Sequence, residues 1–489
     1  MSPVPREVML PRRGPWGTVA GLAELAMAVA LAFGIAALVV HDRMLGPSHP
    51  LWQSARRFEL TQDLLWTGTS LVVAVAVVLA VRLLPFAFEH RFRLAAVAFA
   101  LILSVNGINF GRLDIFELTF FPLLALWLAT TLAEGRPVLT PRAVLAMAVL
   151  LGLGGIASVI SGRATSAVTL HVLLSKLVLM FLVSNLINSR SVLHFAARVL
   201  VWAGVLSALV AILSQVLIYT VGYELSFVDA ATERYKRTAI GRFLRATAFC
   251  QAPQTLGHLL VIAIGIAAIT IRSLWRAVLV VGVMLVGVVM TFSMGSIMSA
   301  GVVLAIAPFL RYPRLGIHFA TLYLLAGVVA YMTGLVDLVY EEVIHPLGAS
   351  GVSIRLEMFR RAIVGIADHP WFGIGLMNPF RELDLPVHNV FLQAAHELGV
   401  PSLLVFVALN VYLLVRLTVI GNMLAASPDR ALVWGLLLAA IGVLVHFMSI
   451  PIYLHVSVWV FLGMLAAAVA VLERAAELGR RVRADGVVP

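Results

Sequence analysis

Long apolar runs constrain this 489-residue chain more than any other feature. About 20 apolar residues cover the hydrocarbon core of a bilayer, and runs of that length recur from residue 18 to residue 472. Charged residues make up only 12% of the chain, whereas ordinary soluble domains carry about 25%. A soluble fold is therefore excluded. The predicted fold class is an all-α polytopic membrane protein with about 14 transmembrane helices.

Length and apolarity place the predicted spans along the whole chain. Their bounds are Thr18–Val40, Leu64–Leu84, Leu94–Phe110, Phe116–Ala133, Ala143–Ile160, Ala167–Ile187, Val192–Tyr219, Thr255–Ile271, Ala277–Phe292, Ile297–Leu310, Ile317–Val336, Val390–Leu417, Leu432–Ile450 and Tyr453–Leu472. With a cytoplasmic N-terminus, every inside connection is basic, as the positive-inside tendency requires. An even number of spans then leaves both termini in the cytoplasm.

This topology divides the chain into seven regions. They are a cytoplasmic tail (1–17), N-terminal transmembrane helices (18–220), a basic periplasmic loop (221–254), central transmembrane helices (255–336), a large periplasmic loop (337–387), C-terminal transmembrane helices (388–473) and a second cytoplasmic tail (474–489). The first two spans are interpreted as an addition to the rest.

The net charge of +11 does not indicate a nucleic-acid partner. Basic cytoplasmic loops are normal in membrane proteins, and no basic stripe with interleaved aromatic residues is present. Cys250 is the only cysteine, which rules out an intrachain disulfide or a thiolate metal site. The acidic residues Asp42, Asp114 and Glu117 are scattered, so we expect no metal ion and no cofactor.

The two long external loops carry different signals. The basic loop at 221–254 breaks the charge rule, which indicates either tolerated sequence noise or an anion site at the outer membrane boundary. In the second loop, Leu356, Phe359, Ile363 and Ile366 recur at helical spacing, so Ser353–Ala367 is predicted to be an amphipathic helix. We expect this helix to lie on the outer face as a lid, with its apolar side on protein or lipid.

Ionisable residues inside spans are functional candidates by default. Lys176 lies in the middle of one span, and Glu24, His258 and His446 are milder cases. Interhelical pairing explains each of them equally well from the sequence.

A polar helix entry follows Pro386. His388 opens it, and Asn389, Gln393 and His396 follow at spacings that align three polar side chains on one helix face. Pro401 predicts a kink or break. Such a half-helix either lines a wet cavity or uses its polar groups for capping and interhelical hydrogen bonds. A neutral His388 is suited to remove a proton from a sugar hydroxyl, and arginines at the same depth would compensate a pyrophosphate leaving group.

Two motifs resemble the O-antigen ligase and Wzy-type O-antigen and exopolysaccharide polymerase superfamily. They are Arg245 to Gln254, and Arg355 with Asp368 to Gly375, His388 to Gln393 and Glu397 to Gly399. The resemblance implies a GT-C-like, metal-independent glycosyltransferase with a site facing the periplasm. It assigns His388 as the base and places Arg245 and Arg355 on the donor phosphate, with Asn389, Gln393 and His396 in support.

Two positions depart from the family pattern. Met294 stands where related proteins often carry arginine, and Gln254 replaces the usual asparagine. Because residues three apart share a helical face, Arg242 beside Arg245 is the expected substitute for the missing cation. The alternative is that Met294 packs against lipid and Arg242 is a solvated loop charge.

The predicted function is transfer of an undecaprenyl-diphosphate-linked oligosaccharide to an acceptor sugar hydroxyl, with inversion, at the periplasmic face of the bacterial inner membrane. Polymerisation of O-antigen or exopolysaccharide repeat units is the first choice, and ligation to lipid A-core is the alternative. A polysaccharide transporter or flippase is less favoured, because charges lie on one face and no repeat is present. Expected partners are the lipid-linked glycan, an acceptor glycan or lipid A-core, the lipid bilayer and other polysaccharide assembly proteins.

Overall fold

The computed structural model describes residues 90–105, 109–110, 113–135, 137–161, 166–221, 235–238, 241–334, 337, 345–376, 387–425, 427–451 and 454–484. The predicted spans Thr18–Val40 and Leu64–Leu84 lie outside the described residues, as does Arg234 of the basic loop.

The described residues form a bundle of helices joined by short connections. The helices are α1 (Arg91–Ser104), α2 (Ile115–Glu134), α3 (Arg142–Ser161), α4 (Ser166–Leu186), α5 (Arg190–Val221), α6 (Pro253–Thr270), α7 (Leu274–Met290), α8 (Met294–Arg311), α9 (Gly316–Met332), α10 (His345–Asp368), α11 (Val390–Leu398), α12 (Val400–Met423), α13 (Pro428–Phe447) and α14 (Val456–Ala484). Two antiparallel hairpins add the short strands β1 (Asn109–Phe110), β2 (Leu113–Asp114), β3 (Tyr235–Thr238) and β4 (Gly241–Leu244).

The all-α prediction is confirmed, and the two hairpins belong to connections. The predicted spans from Leu94 onward fall on helices, but Val390–Leu417 is divided between α11 and α12. Most ends agree to within a few residues, whereas α1 already ends at Ser104 and α14 continues to Ala484. Eight described helices are long and apolar enough to cross a membrane; these stretches are Arg142–Ile160, Arg190–Val221, Pro253–Thr270, Met294–Arg311, Pro313–Met332, Val400–Met423, Pro428–Phe447 and Val456–Arg474. The number of 14 spans, the GT-C likeness and the orientation stay predictions.

Helix α6 forms the centre of the bundle. Almost every side chain from Pro253 to Ile269 is buried, and α6 contacts α5, α7, α8 and α13. Small residues allow the close approach of α6 and α13. A Cβ atom built on Gly265 would lie 2.6 Å from the Cα and N atoms of Ala439, which is far inside van der Waals contact. This pair of helices is therefore packed backbone against backbone.

Buried polar side chains join helices inside the bundle. The Nδ1 atoms of His258 and His446 lie 3.3 Å apart, and His446 Nε2 lies 3.1 Å from Ser296 Oγ, which connects α6, α13 and α8. Lys176 Nζ lies 3.3 Å from the ring centroid of Phe116 on α2. These contacts support the interpretation of His258, His446 and Lys176 as interhelical pairs.

We predict that Gly265→Ala lowers the free energy of unfolding by about 1–3 kcal/mol, because its methyl group overpacks the backbone of Ala439. The matched control is Gly301→Ala on α8, where no atom lies within 4 Å of the added Cβ. That control should be neutral or stabilising by up to about 1 kcal/mol, because alanine favours the helix. Thermal stability of the detergent-purified variants measures both effects. Equal stability of the two variants would contradict the packing account.

Candidate functional site

The predicted break near Pro401 separates two helices at Gly399. Helix α11 ends at Leu398, Gly399 has a φ of +86°, and α12 begins at Val400. At the other end, Asn389 Oδ1 accepts hydrogen bonds from the backbone N–H groups of Phe391 (2.9 Å) and Leu392 (3.0 Å). Asn389 is therefore the N-cap of α11, a position for which asparagine is strongly preferred.

Residues 370–375, which we name the clamp segment, bind the carboxyl end of α11. The N–H groups of Ile374 and Gly375 donate to the carbonyls of His396 (2.9 Å) and Glu397 (3.3 Å). In return, Val400 N–H donates to the carbonyl of Pro370 (2.8 Å). The last carbonyls of a helix have no partner within the helix, so the clamp segment satisfies two of them where α11 stops.

Glycines make this contact possible. Gly373 has a φ of +67°, and a Cβ on it would lie 2.4 Å from the carbonyl carbon of Glu397. A Cβ on Gly399 would lie 2.3 Å from the carbonyl oxygen of Trp371. Neither position accepts a side chain without moving the segment. The glycines of this segment predicted a turn, but nothing in the sequence predicted that the turn docks on α11.

The side chains of α11 point into protein. Gln393 and His396 are each 2% exposed, and Glu397 is fully buried. Gln393 Nε2 donates to Glu397 Oε1 (2.8 Å), and Ser158 Oγ of α3 donates to the Glu397 carbonyl (2.7 Å). Gln393 and His396 are therefore packed inside the protein and do not lie on an open surface. Ser158 carried no signal in the sequence.

Helix α10 packs against the residue that precedes His388. Met358 and Ala362 are buried in one cluster with Val387, and Phe359 and Leu392 pack on it. The half-buried Arg355 lies three residues before Met358, on the same helix face. This packing brings the helix that carries Arg355 to the start of α11, beside the half-buried His388.

The predicted amphipathic helix is longer in the structure and extends over His345–Asp368. Leu356 (61% exposed) and Ile363 (56% exposed) of its predicted apolar stripe do not face the protein. Met358 and Ala362 are buried, and Phe359 of the predicted stripe packs against them. Periodicity marks apolar faces, but it does not distinguish a face against protein from one against lipid.

Intrahelical ion pairs occupy the other arginines of α10. Arg360 and Arg361 both hydrogen-bond to Glu357, and these bonds lower the pKa of Glu357 to about 2. The carboxylate therefore stays charged and neutralises its own neighbours. Arg355 forms no ion pair with the residues that the structure describes.

Arg245 is held at the turn between α7 and α8. Its Nε donates to the carbonyl of Thr291 (3.1 Å), and the next residue, Ala246, donates its N–H to the carbonyl of Met290 (2.9 Å). Gln215 on α5 binds the carbonyl of Leu244 (3.0 Å). The segment that follows β4 is thereby fixed on α5 and α7. Met294, the position of the expected arginine, opens α8 three residues after Thr291.

The helical conformation expected around Arg242 is not present in the structure. Residues Gly241–Leu244 form strand β4, in which Arg242 pairs with Arg237. Residues three apart share a face in a helix, whereas the side chains of an extended strand alternate. The proximity of Arg242 and Arg245 in sequence therefore does not place both on one face.

One series of contacts links the predicted site residues. Arg245 follows β4, β4 pairs with β3, β3 contacts α10, and α10 packs on Val387 beside His388. The structure thus gathers the segments of Arg245, Arg355 and His388 at one end of the bundle. Among the described residues, no group of three His, Cys, Asp or Glu side chains suits a metal ion. Metal independence stays a prediction.

A protein-family model covers much of this region. Residues 277–407 match the model described as O-Antigen ligase. Over this stretch the chain is similar to the O-antigen ligase family. This confirms the predicted resemblance and supports a function of the O-antigen ligase and polymerase type. The matched stretch contains Met294, Arg355, the clamp segment and His388, whereas Arg242 and Arg245 precede it. Together with the candidate spans, the similarity indicates a multi-pass protein of the bacterial inner membrane.

A solved structure gives a weaker likeness. A chain from the work titled "Structural coordination of polymerization and crosslinking by a peptidoglycan synthase complex" aligns at 18% identity with a TM-score of 0.39, over 68% of this chain and 98% of that chain. A similarity at this level carries no argument about fold or activity. No curated protein matches the chain.

We predict that Gly373→Ala releases the clamp segment, because the methyl group meets the Glu397 carbonyl and the positive φ disfavours alanine. Gly334→Ala is the control for an alanine at positive φ without a close contact. Gly334 has the same φ of +67°, but no atom lies within 4 Å of its Cβ position. Limited proteolysis of residues 370–375 in membranes should be faster in Gly373→Ala than in Gly334→Ala. The same cleavage rate in both variants would contradict the close-approach account.

Proposed function

We propose that this protein transfers an undecaprenyl-diphosphate-linked oligosaccharide to an acceptor sugar hydroxyl at the periplasmic face, with His388 as general base. The observation that supports the proposal is the packing of α10, the helix that contains Arg355, on Val387, the residue before His388. The similarity to the O-antigen ligase family over residues 277–407 supports the reaction class.

In the proposed reaction, His388 accepts the proton of the acceptor hydroxyl. The hydroxyl oxygen forms a bond to the anomeric carbon of the donor sugar while the bond from that carbon to the diphosphate oxygen breaks. The products are the elongated glycan and undecaprenyl diphosphate, which carries away the negative charge. A single displacement inverts the anomeric configuration.

Arg245 and Arg355 are the proposed contacts of the diphosphate. A guanidinium group offers paired N–H donors that match phosphate oxygens. Arg245 Nε donates to the Thr291 carbonyl (3.1 Å), and this bond orients the guanidinium group. Fixed positive charge in a site with little water stabilises a leaving group more than the same charge in bulk water. With these arginines the reaction is proposed to need no metal ion.

We also propose that Arg242 contacts the donor, and the position of the β3–β4 hairpin supports this. Strand β4 leads directly into Arg245, and its partner β3 contacts α10. The hairpin thus lies between the two segments that carry Arg245 and Arg355, and it brings basic residues to the same end of the bundle.

Polymerisation of repeat units is the first proposal and ligation to lipid A-core is the second. Reconstitution of the purified protein in liposomes tests both with one donor, a lipid-linked oligosaccharide. Longer lipid-linked products without any core acceptor support polymerisation. Products that form only when lipid A-core is added support ligation. No glycan transfer in either reaction would reject the glycosyltransferase assignment.

We predict that His388→Ala lowers transfer in this assay by about 10²-fold or more, which is the ordinary contribution of a general base. The control is His318→Ala, because His318 is an exposed histidine near the start of α9, at the opposite end of the bundle. It should retain wild-type transfer. Comparable activity of His388→Ala and His318→Ala, at equal amounts of folded protein, would refute the base assignment.

We also predict that Arg245→Lys and Arg355→Lys each lower the kcat/KM for donor by about tenfold or more. Lysine keeps the charge but lacks the planar fork, and at residue 245 it also alters the contact with Thr291. The control is Arg361→Lys, on the same helix as Arg355 but paired with Glu357. It should have little effect. An unchanged kcat/KM in Arg355→Lys would remove that residue from the donor site.

A further inference from the structure

A large cavity lies at the end of the bundle opposite the candidate site. It has a volume of about 840 Å³ and is bounded by residues of α5, α6, α7 and α13 and by the connections between them. Helix α6 runs from Pro253, near the Arg245 segment, to Thr270 at this cavity. Its 18 residues span about 27 Å, so the cavity is remote from His388.

Three arginines line the mouth of this cavity: Arg198, Arg272 and Arg276. All three are exposed. Arg198 Nε donates to the carbonyl of His194 one turn earlier (3.4 Å). No described carboxylate forms an ion pair with any of the three, and no acidic residue is among those that line the cavity.

Asp429, which follows the lining residue Pro428, already has two basic partners. Asp429 accepts from His194 Nε2 (2.7 Å) and forms an ion pair with Arg190 (3.4 Å). The mouth therefore has a local excess of positive charge, which would attract an anionic ligand.

The wall of the cavity is apolar and continues along the bundle surface. Val201 and Val205 lie one turn apart on α5, and Leu279 and Val280 face them from α7. Trp202 (58% exposed) and Leu279 (65% exposed) extend this wall outward. On a chain that spans a membrane, such a surface faces acyl chains, and tryptophan is enriched at the level of lipid headgroups.

We propose that this cavity binds an anionic phospholipid, with its phosphate on Arg198, Arg272 and Arg276 and an acyl chain along Val205 and Leu279. Basic pockets between transmembrane helices are a recurring means of binding phospholipid headgroups. A free phosphate would use the arginines alone, whereas a lipid uses both the charged mouth and the apolar wall. The site is separate from the proposed transfer reaction and does not depend on it.

Native mass spectrometry of the full-length protein in detergent tests the proposal. The probes are phosphatidylglycerol, phosphatidylcholine with the same acyl chains, and inorganic phosphate. Wild-type protein should retain phosphatidylglycerol in preference to phosphatidylcholine. In Arg272→Gln/Arg276→Gln, the apparent affinity for phosphatidylglycerol should fall about tenfold or more, because each arginine contributes to headgroup attraction.

The matched control is Arg142→Gln/Arg314→Gln, which removes two exposed arginines from the same end of the bundle outside the cavity. It should bind phosphatidylglycerol like the wild type. Leu279→Ser should weaken lipid binding while leaving any binding of inorganic phosphate unchanged.

Three results would overturn the proposal. The first is equal loss of lipid in the two double variants. The second is equal retention of phosphatidylglycerol and phosphatidylcholine by the wild type. The third is displacement of the lipid by equimolar inorganic phosphate, which would show a site for a free anion only. Because all the substituted side chains are exposed, the variants should elute like the wild type in size-exclusion chromatography.

Discussion

The hydrogen bonds from Ile374 and Gly375 to the carbonyls of His396 and Glu397 are the interaction on which the candidate site depends. A helix that ends inside a membrane protein leaves carbonyl groups without partners, and in the absence of water each such group costs several kcal/mol. The clamp segment supplies these partners. Gly373 and Gly399 permit the necessary approach, since a side chain at either position would collide with the opposite backbone.

This docking also fixes the helix that precedes the clamp segment. Helix α10 ends at Asp368, immediately before the clamp segment, and its buried face packs on Val387. The clamp segment thus binds the end of α11, and α10 packs on Val387 just before the start of α11. These two contacts fix α10 next to the N-terminal end of α11. Arg355 and His388 share that end, while Arg245 is fixed independently by Thr291. Arg355 thus lies on a packed helix, whereas His388 and Arg245 lie in short connections next to α11 and β4.

The sequence predicted the helices well because apolar length is a strong signal in a membrane protein. It also predicted the break near Pro401 and the turn at Gly373 and Gly375. It did not predict that the turn docks on α11, because hydrogen bonds between distant backbone groups leave no pattern in the chain. The sequence also left open whether protein or lipid covers the apolar side of α10. In a membrane protein an apolar face packs equally well on lipid or protein, so Leu356 and Met358 are not distinguished by hydropathy.

The basic loop shows a second limit of sequence reasoning. The spacing of Arg242 and Arg245 was interpreted as helical, but the chain forms a hairpin there. Charge alone does not specify the backbone conformation. Residues three apart share a face in a helix but not in a strand. Met294 lies three residues after Thr291, whose carbonyl accepts the hydrogen bond from Arg245.

Disulfide trapping tests the docking of α10 most directly. Cys250 is the only cysteine, so Cys250→Ala gives a background without thiols. In that background, Met358→Cys with Val387→Cys should form a disulfide in membranes under mild oxidation, since both residues belong to one buried cluster. Leu356→Cys with Val387→Cys is the control, because Leu356 lies on the exposed face of the same helix. The account predicts rapid crosslinking of the first pair and little of the second. Equal crosslinking of both pairs, or crosslinking of the control alone, would contradict it.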